Sequence, residues 1–248
     1  MIKLLSVDFR RCYKTKRFVI GTLIPVCIIL LIIYIALTHD NDGHVDNLPF
    51  TVISFFPSII AIIGGLYISQ DYTNNTIRNK IIFGHSRTKI YMSNWITSML
   101  GTVILYGAYI FACYGIGGIA MGFSSSFDAA FSFKCILLAY CPMLSYTALT
   151  VLVCMICQKT RGTVLSFMLY YIMGMSSILE YFIDNETFSK IFNNCNPAIQ
   201  FDSVQYYAVD PSMLGDNIEI SWIPISTAVI ILLSTLGGIA IFNKQDIK

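Results

Sequence analysis

Three groups of residues in this 248-residue chain have the types and spacing to do chemistry. His39, Asp40, Asp42, His44 and Asp46 crowd into eight positions and offer imidazole and carboxylate ligands to a metal. They lack the ligand spacing and closing glutamate of a calcium loop, and two histidines among scattered carboxylates make poor zinc ligation. Cys154 and Cys157 form a CxxC pair, but they lie in an apolar run and no second pair completes a zinc site, so packing is their ordinary role. Glu180 sits near the end of another apolar run without a partner acid. Proteolysis inside a membrane needs an HExxH pair, two facing carboxylates or a serine–histidine couple, and none is present in the apolar runs. The chain also has no Gly-Lys dipeptide, so it carries no phosphate-binding loop of the GxxxxGK[ST] type and does not itself bind or split ATP. No catalytic residue, resident metal or cofactor is assigned.

The elements that position these residues are membrane spans. A helix rises about 1.5 Å per residue and the hydrocarbon core is about 30 Å thick, so roughly 20 apolar residues cross it. Runs of that kind lie at about 18–38, 50–70, 95–123, 135–157, 163–183 and 222–242. Hydrophobic residues make up 56% of the chain and charged residues 12%, with mean hydropathy +0.68, so residues 1–248 read as a single all-α transmembrane domain. The first sixteen residues are too charged, and the first apolar run too long, for a cleavable signal peptide. The eight cysteines fall mostly within spans and form no disulfide framework.

Charge then fixes orientation. Lys3, Arg10, Arg11, Lys14, Lys16, Arg17, Arg78, Lys80, Arg87, Lys89, Lys159, Arg161, Lys244 and Lys248 share one side with Asp8, Asp71 and Asp246; of the sixteen cations, only Lys134 and Lys190 share the other side with the remaining acids. By the positive-inside bias the basic side is cytoplasmic, and both termini lie there. The formal charge of +2 hides this split, and nothing points to a nucleic-acid partner.

Residues 1–17 predict an amphipathic helix on the inner membrane surface, with Ile2, Leu5, Phe9, Cys12 and Tyr13 on one side and Lys3, Arg10, Lys14 and Arg17 beside them. A bare basic flank that only sets topology is the alternative. The third run is longer than a perpendicular crossing needs and rich in glycine, which predicts tilt, projection or a break near its outer end; Gly118 and Gly122 have a GxxxG spacing. Apolar residues on both sides of Pro197 predict short outer helices before the last span.

The most distinctive local text is the connection from Asp71 to Tyr91, between the second and third spans. Asn74 or Asn75 is expected to cap a short helix, Gly84 to end it and Ser86 to cap the next span. Such a helix on two membrane stems can act as a lever for a docked partner, or it can be a basic loop that serves topology alone.

Asp71-Tyr72, the Thr-Ile-Arg-Asn-Lys run from Thr76 to Lys80, and the Gly-x-Ser-Arg-x-x-x-Tyr stretch from Gly84 to Tyr91 resemble the segment after span two in membrane subunits of type-2 ATP-binding-cassette exporters. The span plan, basic N-terminus, long outer segment and short charged tail extend that resemblance over the whole chain. Asp71 stands where glutamate is common and Asn75 where glycine is common. The resemblance implies a half-transporter that pairs with a second membrane subunit, self or paralogue, and seats two ATPase subunits, which hold ATP and Mg. The segment 75–85 would be the coupling helix, with Ile77, Ile81, Ile82 and Phe83 giving apolar contact and Arg78, Lys80, Arg87 and Lys89 charge complementarity. Small members of the family resemble exporters of antimicrobial peptides, peptide toxins or lipophilic antibiotics, which sets the expected cargo as an amphipathic peptide or lipophilic compound and the expected location as the plasma membrane of a bacterium. Phe55, Phe56 and Glu180 are the candidate cargo contacts, although Glu180 at the outer interface needs no such role. An immunity protein that intercepts membrane-active peptides without moving them is the competing reading.

Overall fold

Long apolar runs satisfy their backbone polar groups internally only as helices, and the computed structural model, which describes residues 2–38, 44–175, 186–213 and 218–245, contains no strand among them. The chain opens with α1 (Ile2–Lys14) and turns at Thr15 into α2 (Lys16–Thr38). A short α3 (Leu48–Thr51) leads into α4 (Phe56–Thr73), followed by the seven-residue α5 (Thr76–Ile82) and α6 (Arg87–Phe111). A π-helical turn at Ala112–Gly117 joins α6 to α7 (Gly118–Met121). Then come α8 (Ala129–Cys157), α9 (Lys159–Gly174), α10 (Glu186–Cys195), α11 (Pro197–Val209) and α12 (Trp222–Lys244).

Five stretches are long and apolar enough to cross a membrane: Lys16–Thr38, Leu48–Thr73, Arg87–Met121, Ala129–Cys157 and Trp222–Lys244. Of the expected run 163–183, the described part is α9, whose 16 residues rise roughly 24 Å; Glu180 lies outside the described residues. The third stretch begins at Arg87, eight residues before the apolar run expected at 95, because its first turns are held against α1 and need no lipid-facing apolar residues. Its expected outer break is the π-helical turn, after which Gly122 takes φ +74° and its carbonyl accepts from Val45 N at 3.3 Å. Asp46 ties the α2–α3 connection to the same place by accepting from the backbone and hydroxyl of Ser124.

The core runs along α8, which packs on α4, α6, α9, α11 and α12. Phe56, Tyr106, Tyr109 and Tyr146 are fully buried there, with Phe56 edge-on to Tyr106 and Tyr109 at 5.2 and 5.0 Å. α2 buries only the stripe Phe18, Gly21, Pro25, Ile29 and Ile33 and leaves Leu23, Leu31 and Tyr34 outward, as a lipid-facing helix does. The closest helix approaches use glycines other than the GxxxG pair. A Cβ on Gly162 would lie 2.6 Å from Cys154 Cα, and one on Gly65 would lie 2.9 Å from Thr163 Cα. A Cβ on Gly118 would meet only the ring of Phe123 in its own segment, and Gly122 faces open space. The short helices expected around Pro197 are present: Asn196 caps α11 by accepting from Ala198 N at 3.0 Å, and Phe201 and Val204 are buried in the bundle.

Candidate functional site

Polar groups concentrate where α1, α5 and the ends of α4, α6, α8 and α12 meet, at the end of the bundle that carries most of the cations. Both ends of the described chain reach it: Arg87 Nη1 donates to the carbonyls of Phe242, Asn243 and Gln245 at 3.3, 3.1 and 2.5 Å, and Gln245 Nε2 donates to the carbonyl of Ile156 at 2.7 Å. A cation on the last carbonyls of α12 completes a helix C-terminus.

The connection after α4 begins with a left-handed residue. Asn75 has φ +53°, a conformation that glycine takes freely and asparagine tolerates better than most residues. Asparagine therefore fits a position where the resembled family commonly has glycine. Neither Asn74 nor Asn75 caps α5 through its side chain, and Ser86 makes no capping bond to α6; backbone turns close these corners instead. Gly84, at φ +84°, ends the α5 segment as expected.

The turn directions divide the expected contact residues into two sets. Ile82 and Phe83 project outward with 70% and 81% of their surface open, and Arg78 and Lys89 are also exposed. Ile77 and Lys80 point inward and are buried, Ile81 is half-buried, and Arg87 is half-buried on the α12 carbonyls. Only the first set offers surface to a partner.

Lys80 is held by an ionic cluster that the sequence pattern does not reveal. Its Nζ lies 2.7 Å from Asp8 Oδ1 and 3.4 Å from Asp71 Oδ2, and both carboxylates are fully buried. Arg11 pairs with Asp71, lies 3.7 Å from Asp8 and stacks 5.0 Å from the ring centre of Tyr67. Ser93 Oγ donates to Asp8 Oδ2 at 2.7 Å. Two acids and two bases so arranged are electrically neutral, which makes burial tolerable. Burial alone would depress the Arg11 guanidinium, but the hydrogen bond and charge of Asp71 more than reverse it, so the group stays cationic. Beside it, burial pushes the Cys12 thiol up to about 12. Asp8 could have been suspected from sequence only as an acid four residues from both Leu4 and Cys12 on one helical face. That face packs onto protein, so α1 turns Leu4, Asp8 and Cys12 into the bundle.

At the opposite end, the candidate cargo contacts separate. Phe56 is locked in the core, whereas Phe55 is 63% open. Next to it, Ser54 Oγ donates to Asp202 Oδ1 at 2.9 Å and Tyr170 donates to the Ser54 carbonyl at 3.1 Å. Burial pushes the Asp202 carboxyl up, against the lowering effect of the Ser54 hydroxyl. Asp202 was not a sequence candidate, because nothing in its local text distinguishes it from the other outer acids. Cys154 is buried against Ser166 and Cys157 half-buried, and no group of three metal-ligating side chains occurs among the described residues. Of the histidine–aspartate stretch, 39–43 lie outside the described residues.

An all-helical bundle with several apolar helices of membrane length and an exposed, basic helical connection at one end defines a multi-pass membrane protein. The chain belongs to the ABC-2 family of transporter proteins: the family model described as ABC-2 family transporter protein matches residues 4–177, well over half of the sequence. It is thus a permease-type membrane subunit, whose family works with an ABC ATPase. No curated protein matches the chain.

Proposed function

We propose that this protein is the membrane half of an ATP-driven exporter in a bacterial plasma membrane, with six spans and both termini in the cytoplasm. Two membrane subunits, identical or paralogous, pair and receive two ATPase subunits, which hold ATP and Mg. The observation that carries the reading is the outward pair Ile82 and Phe83 on the basic end: apolar side chains this open, at the tip of a short helix rigidly fixed from behind, form an anchor for a pocket on a partner. Arg78 and Lys89 supply charge steering around it. Ile77, Lys80 and Arg87 serve the same function from inside, by fixing the lever to α1, α4 and α12.

The cargo is an amphipathic peptide, such as a peptide toxin or antimicrobial peptide. Support comes from the opposite end, where exposed Phe55 stands beside the partly desolvated carboxylate of Asp202 and suits a cationic residue flanked by apolar ones. Glu180, a candidate from its sequence position alone, is part of the same cargo proposal.

The test is co-expression with a candidate ATPase, reconstitution in lipid and measurement of ATP turnover with and without a cationic amphipathic peptide. Stable association and peptide-dependent turnover are expected. Failure to associate with any candidate ATPase would return the weight to a binding or immunity protein, and association with turnover indifferent to peptides would remove the cargo assignment.

A further inference from the structure

Arg17 stands at the basic end of a groove between α2 and α4 that the docking of an ATPase leaves unused. Its walls are Ile20 and Ile24 of α2 with Ile59, Ile62 and Leu66 of α4, and it holds about 220 Å³. The two helices touch at Gly21, where a Cβ would lie 1.9 Å from Ile63 Cδ1, and the groove opens beside that crossing. From Ile59 to Leu66 the wall rises roughly 10 Å, a substantial part of one leaflet. Apart from Arg17, no polar side chain lines it.

Among the described residues nothing pairs with the charge at its mouth. Arg17 is exposed and makes neither a hydrogen bond nor an ion pair with any described residue, and Lys14 and Lys16 beside it are exposed as well. The charge split of the sequence assigns fourteen cations to this side with only Asp8, Asp71 and Asp246. Asp8 and Asp71 are sealed in the cluster with Arg11 and Lys80. Among the described residues no acid is left to answer Arg17, so a counter-charge from outside the chain can pair with it. At the membrane boundary, a guanidinium above a dry cleft matches a phosphate carrying an acyl chain, since arginine binds phosphate oxygens through two parallel donors.

We propose that the α2–α4 groove is a binding site for an anionic phospholipid, its phosphate on Arg17 and one acyl chain lying along Ile20, Ile24 and Ile62. The assignment rests on the orientation proposed above only for which leaflet supplies the lipid. The lipid would fill the groove between α2 and the helix that carries the coupling segment, so the site can make transport sensitive to membrane composition.

The test uses the purified full chain in nanodiscs of equal parts phosphatidylglycerol and phosphatidylcholine, with the retained lipid read by native mass spectrometry and the melting temperature measured in each pure lipid. The wild type is expected to retain phosphatidylglycerol in preference. Arg17→Gln should weaken that preference about fivefold, the effect of one basic residue at an anionic surface. Ile62→Trp should fill the groove and release lipid while the chain still melts cooperatively. Lys134→Gln, on the acidic side of the sequence, should change nothing. Equal retention of both lipids by the wild type, or unchanged selectivity in Arg17→Gln, would overturn the site. A shift of Ile62→Trp from dimer to monomer with no lipid released would assign the groove to a second membrane subunit instead. Protease access to an N-terminal tag in oriented vesicles reads the sidedness separately: a tag on the outer face overturns the orientation and leaves lipid selectivity to be judged by its own result.

Discussion

Lys80 Nζ on α5 lies 2.7 Å from Asp8 Oδ1 on α1, across 72 residues of sequence. This contact makes the N-terminal helix a buttress for α5, because the same lysine also reaches Asp71 at the foot of α4 and Arg11 closes the ring from α1. The cluster joins three elements that also share the buried apolar residues Leu4, Cys12, Tyr67, Ile68, Tyr72 and Ile77.

Removing one member should therefore cost far more than removing a neutral pair. Lys80→Met leaves a net negative charge buried and is expected to destabilise by about 3–5 kcal/mol, the usual penalty for an orphaned buried charge. Lys80→Met combined with Asp8→Asn restores neutrality and should recover a large part of the loss. Melting of the purified single and double variants in one detergent provides the comparison; additive losses would show that the two side chains do not act as a unit.

The same cluster predicts a thiol-labelling pattern. Cys12 is buried and its thiol is pushed up to about 12, so near neutral pH it has almost no thiolate and should resist maleimide. Asp8→Asn should loosen α1 and make Cys12 reactive. Cys195, exposed at the end of α10, should react with a membrane-impermeant maleimide in intact cells under the proposed orientation. Labelling of Cys195 only after the cells are broken would reverse the orientation.

Docking and folding should separate at Phe83. The side chain is so exposed that Phe83→Ala should leave stability within about 0.5 kcal/mol. If the ring fills a pocket on the ATPase, its loss should weaken association by about 2 kcal/mol, roughly thirtyfold. Ile77→Ala should behave in the opposite way, lowering the melting temperature through a buried cavity before any effect on docking appears. Normal ATPase binding by Phe83→Ala would remove the anchor assignment.

The helical fold was legible because its signals, apolar runs of membrane length and lopsided charge, are carried by many residues at once. The short helix between Asp71 and Tyr91 was legible as text, but the facing of its residues was not: Ile77 and Ile82 look alike in sequence, and only the α1 and α4 contacts turn one inward and leave the other outside. Asp8 was invisible for a related reason, since its partners Lys80 and Ser93 are distant in sequence and no local pattern reports a long-range ion pair. The GxxxG spacing of Gly118 and Gly122 marks no close helix approach in the bundle, because small-residue spacing records permission for close approach, not its location.

Two glycines test where close approach actually matters. Gly162 follows the turn from α8 into α9, and a Cβ there would press on the backbone of Cys154 at 2.6 Å, an atom that moves only if the helices part. Gly237, in α12, has nothing within 4 Å of an added Cβ. Gly162→Ala should destabilise by about 1–3 kcal/mol through overpacking, whereas Gly237→Ala should be neutral or slightly stabilising through its better helix propensity. Because α9 also packs against α4 at Gly65 and Thr163, the strain from Gly162→Ala should spread to that crossing, and Thr163→Ser, which removes the methyl lying 2.8 Å from the Gly65 Cβ position, should relieve part of it. Melting temperatures of Gly162→Ala, Gly237→Ala and the Gly162→Ala/Thr163→Ser pair decide the matter; equal melting of the two alanine variants would mean that the α8–α9 turn opens without cost and that its glycine is not required for packing.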